Sequence, residues 1–209
     1  MLDNLFWDSC LFIRYVTNDV EAPHFADIAR FVDEAKANKR KIFYSTISLA
    51  EFRQEYFDNS QFGSIRDFFD DMGSACIPIE PSPNVLIGVS ELRSAKSTNP
   101  GDPKGKGRVI ATPDAIVMMS ALYARDALGV ADIVLHSTDE GKGKGWAGKT
   151  VPIIGFEAWY PEATRTDRVK EVCSLAREKP IHPVPDMFVG NVVNVAFDAK
   201  RANGEQPTA

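Results

Sequence analysis

The sequence predicts an α/β protein, a three-layer α/β/α sandwich around a central five-stranded parallel sheet. Three observations predict it. Short apolar runs alternate with segments of helical periodicity up to about residue 160, the pattern of strands joined by crossover helices and covered on both faces. The 209 residues fit one α/β domain with an extension better than two full domains. Apolar residues at 44% and charged residues at 25% allow an ordinary buried core.

The elements follow in order. Leu5–Trp7 reads as a short buried strand, with a turn and helix starting near Asp8 or Ser9. Ala26, Ala29, Phe31, Val32 and Ala35 lie near one face of a helix over about Ala22–Asn38. Lys41–Tyr44 reads as a strand, Ser48–Phe57 and Ile65–Met72 as helices, and Ala75–Ile79 as a third strand ended by Pro81 and Pro83. Val85–Ala95 is helical. Ser97–Gly107 is a Gly/Pro/Lys-rich loop. Asp114–Leu128 is a helix with Pro113 at its start. Ile133–Leu135 is the fourth strand, Gly141–Gly148 a second Gly/Lys loop, and Val151–Ile154 the expected fifth strand. Residues 161–209 are expected to be an extension. Val169, Val172, Cys173 and Ala176 form a helical stripe ended by Pro180; the apolar stretch Met187–Phe197 has no clear assignment, and the last few residues look disordered.

Composition excludes several classes. No stretch approaches the roughly 18–20 apolar residues that cross a bilayer, and the acidic start lacks the basic region of a signal peptide. Cys10, Cys76 and Cys173 form no CxxC pair, and His24, His136 and His182 are scattered, which argues against a disulfide framework or a zinc site. The expected setting is reduced and cytoplasmic. A net charge of −5 is unlike a protein that binds nucleic acid over its whole surface. A cluster of metal-binding carboxylates would itself add negative charge, which bound cations reverse locally.

Four acids stand at telling places: Asp8 ends the first strand, Glu51 follows the second, Asp114 opens the helix after the first Gly/Lys loop, and Asp139 ends the fourth strand. In a parallel sheet, strand C-termini and the helix starts that follow them share one edge, where ligands bind. Hard oxygen donors there suit Mg²⁺ or Mn²⁺ and phosphoryl transfer. Each acid also has a structural reading. Asp8 is a good N-cap, Ser48-Leu49-Ala50-Glu51 matches a capping box, Asp114 suits the helix macrodipole, and Asp139 suits a turn.

Phe6-Trp7-Asp8-Ser9, Ser45-Thr46 followed by Glu51, Pro113-Asp114-Ala115 and Ser137-Thr138-Asp139 together resemble the PIN-domain nucleases, a group that includes bacterial ribonuclease toxins. The resemblance covers about Leu5–Tyr160, within a PIN-like domain of residues 1–160. It implies Mg²⁺- or Mn²⁺-dependent phosphodiester hydrolysis, usually of RNA, with Asp8, Glu51, Asp114 and Asp139 as catalytic metal ligands and Ser9 and Thr138 as supporting hydroxyls. Ser137 could serve beside Thr138. Endoribonuclease activity of toxin type, an antitoxin-like protein partner and a homodimer are further implications. The alternatives are a DNA- or structure-selective nuclease and a non-catalytic PIN-like binding protein. Two departures stand out. Glu140-Gly141-Lys142-Gly143 follows Asp139 where the family often has an aromatic residue, and the chain runs on well beyond the domain.

Lys104, Lys106 and Arg108 precede the Asp114 helix, and Lys142 and Lys144 follow Asp139. These are expected to grip phosphates flanking the scissile bond, with Trp146 stacking on a base. Solvated loops and a core-anchoring tryptophan are the structural counterparts. Residues Gly143 to Thr150 match a Walker A pattern, but a P-loop must enter a helix, and Val151-Pro152-Ile153-Ile154 reads as extended. A nucleotide hydrolase is therefore not expected.

Overall fold

The computed structural model describes residues 4–101, 107–140 and 150–183. Five strands, β1 (Asn4–Trp7), β2 (Ile42–Ser45), β3 (Cys76–Ile79), β4 (Ile133–His136) and β5 (Ala176–Glu178), form one all-parallel sheet in the order β3-β2-β1-β4-β5. β1 lies at the centre, pairing Trp7 with Tyr44 on one side and with His136 on the other. All three strand ends meet there at one C-terminal edge.

Among the described residues six α-helices cover the sheet: α1 (Ser9–Val16), α2 (Phe25–Lys36), α3 (Ile65–Met72), α4 (Pro83–Ser94), α5 (Thr112–Asp126) and α6 (Asp167–Cys173). The two-residue period of the strands divides the core between them. Leu5, Trp7, Ile42 and Tyr44 pack with residues of α1, α2 and α3. Phe6, Phe43, Ile133 and Leu135 pack with α4, α5 and α6. On the first side Phe12 is ringed by Trp7, Tyr44, Phe68 and Phe69, with centroids 5.1 to 5.9 Å away. On the second, α5 is buried along nearly its whole length, from Ala115 to Leu122. Among the described residues no helix is long and apolar enough to cross a membrane.

Helix starts follow local chemistry. Ser64, Ser82 and Thr166 cap α3, α4 and α6, each accepting from the backbone N–H three residues on. Ser82→Ala is expected to cost about 1 kcal/mol, read as a lower urea midpoint with unchanged slope.

Three expectations need correction. Val151–Ile154 is not a strand. It is extended but irregular; Pro152 has no N–H to give to a ladder, and the N–H groups of Ile153 and Ile154 are spent on Asp139. The fifth strand is Ala176–Glu178, from the segment expected to be an extension. It pairs with β4 through Val134↔Ala176 and His136↔Glu178, and Val169, Val172 and Leu175 just before it join the core. The sheet therefore extends past residue 160. The expected helix Ser48–Phe57 is instead two short 3₁₀ turns, Thr46–Glu51 and Gln54–Phe57, broken at extended Phe52. Residues 102–106 of the first Gly/Lys loop, the whole of the second (Gly141–Gly148), most of the Walker-like segment, Met187–Phe197 and the C-terminal tail lie outside the described residues. No helix follows directly on Thr150.

Candidate metal centre

The chain passes from β1 straight into α1 through Asp8, so this side chain is held at the C-terminal edge of the central strand. Its backbone N–H donates to the His136 carbonyl at 3.1 Å, tying it to β4 as well. The residue is only 6% exposed. Oδ1 accepts from the Ser9 N–H at 2.8 Å and from Ser9 Oγ at 3.4 Å. Oδ2 accepts from Ser137 Oγ at 2.8 Å and from Cys10 Sγ at 3.1 Å. The capping reading thus holds in part: Asp8 is the N-cap of α1, but most of its acceptor capacity is turned to side chains. Burial raises its pKa above the usual carboxylate value, the neighbouring Glu51 adds to that, and the hydrogen bonds oppose it.

Glu51 ends the 3₁₀ turn after β2 and accepts a hydrogen bond from Ser9 Oγ. The capping box is not formed. The residue at the N-cap of that turn is Ser45, its side chain makes no capping bond, and Ser48 Oγ is buried without a hydrogen-bond partner. The carboxylate of Glu51 therefore faces Ser9 and, through it, Asp8.

Asp114 occupies the first turn of α5, where Ala111 is the N-cap and supplies no side-chain bond. Burial, and then the charges of Asp8, Asp139 and Glu51, push its pKa from 3.8 up to about 8. Acids from four separate elements thus repel one another across one small space. Among the described residues no ion pair joins Asp8, Glu51 or Asp114 to a Lys, Arg or His.

Asp139 combines two roles. Its N–H donates to Ser137 Oγ at 3.0 Å, its Oδ2 accepts from Ile153 N–H at 3.2 Å, and its carbonyl accepts from Ile154 N–H at 2.9 Å. The turn reading is therefore real, since Asp139 anchors the segment 151–154. Its charge still reaches Asp114.

The supporting hydroxyls are rearranged relative to expectation. Ser9 contacts both Asp8 and Glu51. Thr138 contacts neither; its Oγ1 donates to Cys10 Sγ at 3.3 Å. The hydroxyl on Asp8 from that loop is Ser137. Cys10 gives no signal in the sequence, because a lone cysteine in an apolar helical stripe reads as core. Lys179 is also unforeseen: the end of β5 brings it within 2.8 Å of Glu140, next to Asp139. Arg108 is the one member of the expected phosphate-gripping set among the described residues. Its guanidinium lies 5.4 Å from the Trp159 ring centre and its backbone is bonded to Ser97. Lys104, Lys106, Lys142, Lys144 and Trp146 lie outside the described residues. His136 turns its ring toward Phe31, 5.1 Å away, and burial followed by the charge of Arg40 lowers its pKa to about 4. At neutral pH it is an uncharged core ring rather than an acid or base.

The donor chemistry fits a hard divalent cation, being all carboxylate oxygen with flanking hydroxyls. The spacing is wider than a closed ligand set: among the described residues no group of three or more His, Cys, Asp or Glu side chains is placed to hold a metal ion. Asp8, Glu51 and Asp139 are each turned onto protein donors instead. No protein-family model, no curated protein and no solved structure matches the chain.

Proposed function

We infer that this chain is a divalent-metal-dependent nuclease acting on RNA, as its resemblance to PIN-domain nucleases implies. The observation that carries the reading is the coupling of Asp114 to Asp8, Asp139 and Glu51, four acids from distant parts of the sequence. Repulsion of this kind costs stability, and a cation would offset it. When bound, Mg²⁺ or Mn²⁺ supplies a water acidic enough to attack phosphorus and charge to neutralise the phosphate. Asp8 and Asp114 would hold the ion from β1 and α5, and Glu51 and Asp139 would complete its shell from either side. Ser9 and Ser137 orient the carboxylates, as partners behind metal ligands do.

A non-catalytic binding protein is the second reading, favoured by the engagement of three of the acids with protein donors. One assay separates the two. Full-length protein is incubated with mixed-sequence single-stranded RNA and DNA in Mn²⁺, in Mg²⁺ and in chelator. Internal cleavage of RNA that needs the ion is the expected result. Cleavage of DNA alone moves the substrate assignment, and no cleavage of either in any metal removes the nuclease reading.

A further inference from the structure

Cys10 stands outside the acid set, yet its sulfur joins the two loops that carry Asp8 and Asp139. Sγ accepts from the Thr138 backbone N–H at 3.4 Å and from Thr138 Oγ1 at 3.3 Å. With its acceptor side filled by Thr138, the S–H is left to donate to Asp8 Oδ2, 3.1 Å away. Ser137 makes the parallel link: it donates to the same Oδ2 and accepts from the Asp139 N–H. Oδ2 of Asp8 is thus gripped by two groups, each of which also grips the loop of Asp139. Thiol hydrogen bonds are individually weak, but here their directions fix the rotation of one carboxylate and its distance from a second loop. A cysteine that merely fills space on α1 would need none of these contacts.

We propose that Cys10 is a positioning residue for Asp8, its thiol setting the carboxylate against the Asp139 loop for divalent cation binding. The inference rests on the nuclease reading and concerns how tightly the ion is held. Partners behind metal ligands typically change affinity by about 10- to 100-fold when removed, so Cys10→Ala is expected to weaken Mn²⁺ binding by about tenfold or more. Serine can donate to Asp8 and accept from Thr138, so Cys10→Ser is expected to stay within about threefold of the parent. Thr138→Val keeps the thiol but removes one of its donors, and is expected to shift Mn²⁺ affinity in the same direction as Cys10→Ala.

The test is a Mn²⁺ titration of the full-length protein and these three variants. It is followed by thermal shift, with circular dichroism in chelator to establish folding. Parental affinity in a folded Cys10→Ala overturns the proposal. So does an affinity in Cys10→Ser as poor as in Cys10→Ala, which would make packing and not hydrogen bonding the cause. If Cys10→Ala does not fold, unchanged affinity in Thr138→Val overturns it. A parent protein with no Mn²⁺ response at all fails the nuclease reading itself, a result distinct from a parent that binds Mn²⁺ and variants that bind it equally well.

Discussion

Asp8→Asn and Asp114→Asn are each expected to lower Mn²⁺-dependent cleavage by about 100-fold or more, at least roughly 2.7 kcal/mol of barrier. Asparagine keeps the shape of the side chain and loses the charge that holds a cation. Both variants should remain folded. In Asp8→Asn the amide oxygen can still accept from the Ser9 N–H, and the amide nitrogen can donate to Ser137 Oγ. Asp114 makes no hydrogen bond to another described residue, so Asp114→Asn leaves no partner stranded. Glu51→Gln should be similarly severe. Asp139→Asn should be milder, since water can replace a fourth ligand and the amide oxygen can keep the bond from Ile153. Single-turnover cleavage of labelled RNA, with melting curves alongside, measures all four. Full activity in both Asp8→Asn and Asp114→Asn would remove the site assignment.

In chelator, Asp114→Asn is expected to be more stable than the parent protein at pH 8 and above. The sign follows from linkage. The pKa of Asp114 in the folded protein, about 8, is far above its ordinary value of 3.8, so the folded state holds an extra proton between them. The contribution of Asp114 to the parent's stability is therefore least unfavourable below about pH 4, worsens as pH rises towards 8, and carries the full penalty beyond it. Asparagine does not titrate and escapes that loss. Against this stands the macrodipole of α5, whose N-terminus favours a charged Asp114 by about 0.3–1 kcal/mol. Water reaching the partly exposed carboxylate screens the repulsion, so the net gain is about 1 kcal/mol, within the ordinary range for one substitution. Mn²⁺ should reverse the order by stabilising the parent, by roughly 1.4 kcal/mol at ten times the dissociation constant. If Asp114 served only the helix start, its amide would melt lower at every pH and Mn²⁺ would do nothing. Melts at pH 5, 7 and 9, with chelator and with Mn²⁺, separate the two outcomes.

The parallel sheet was legible because β1, β2, β3 and β4 are short apolar runs between helical segments, the first, second and fourth of them largely buried on both faces. β5 was not, because Ala176-Arg177-Glu178 carries no such run. It is an edge strand held by backbone bonds, with Arg177 paired to Glu157 and lying over Phe156. Val151-Pro152-Ile153-Ile154 has the apolar character β5 lacks, and it is buried, but its amides answer to Asp139 rather than to a neighbouring strand. Ser48 and Glu51 have the spacing of a capping box, but the turn that contains them begins at Thr46, so neither sits where a cap is needed. Asp8 and Asp139 were candidates because they stand just past strand ends and Asp114 because it lies in the first turn of a helix, whereas Glu51 lies at the end of the turn after β2. The groups behind them were less so. Cys10 and Ser137 act through contacts with residues far away in sequence, and no local pattern reports such contacts.

The position of β1 has a consequence for how the protein is made. It is the first of the five strands in chain order and the central strand of the sheet, yet one of its two neighbours is β4, and Ser137 meets Asp8 across 129 positions of chain. Contacts so far apart in sequence slow folding, because the loop between them must close before they give any return. On the ribosome, Asp8 and Glu51 emerge long before Asp114 and Asp139 exist. A nascent chain cut short before β4 therefore carries Asp8, Glu51 and Asp114 but neither Asp139 nor an assembled centre. Any activity the site has towards RNA would be withheld from the messenger and ribosome still producing the protein until nearly all of its described length had been translated.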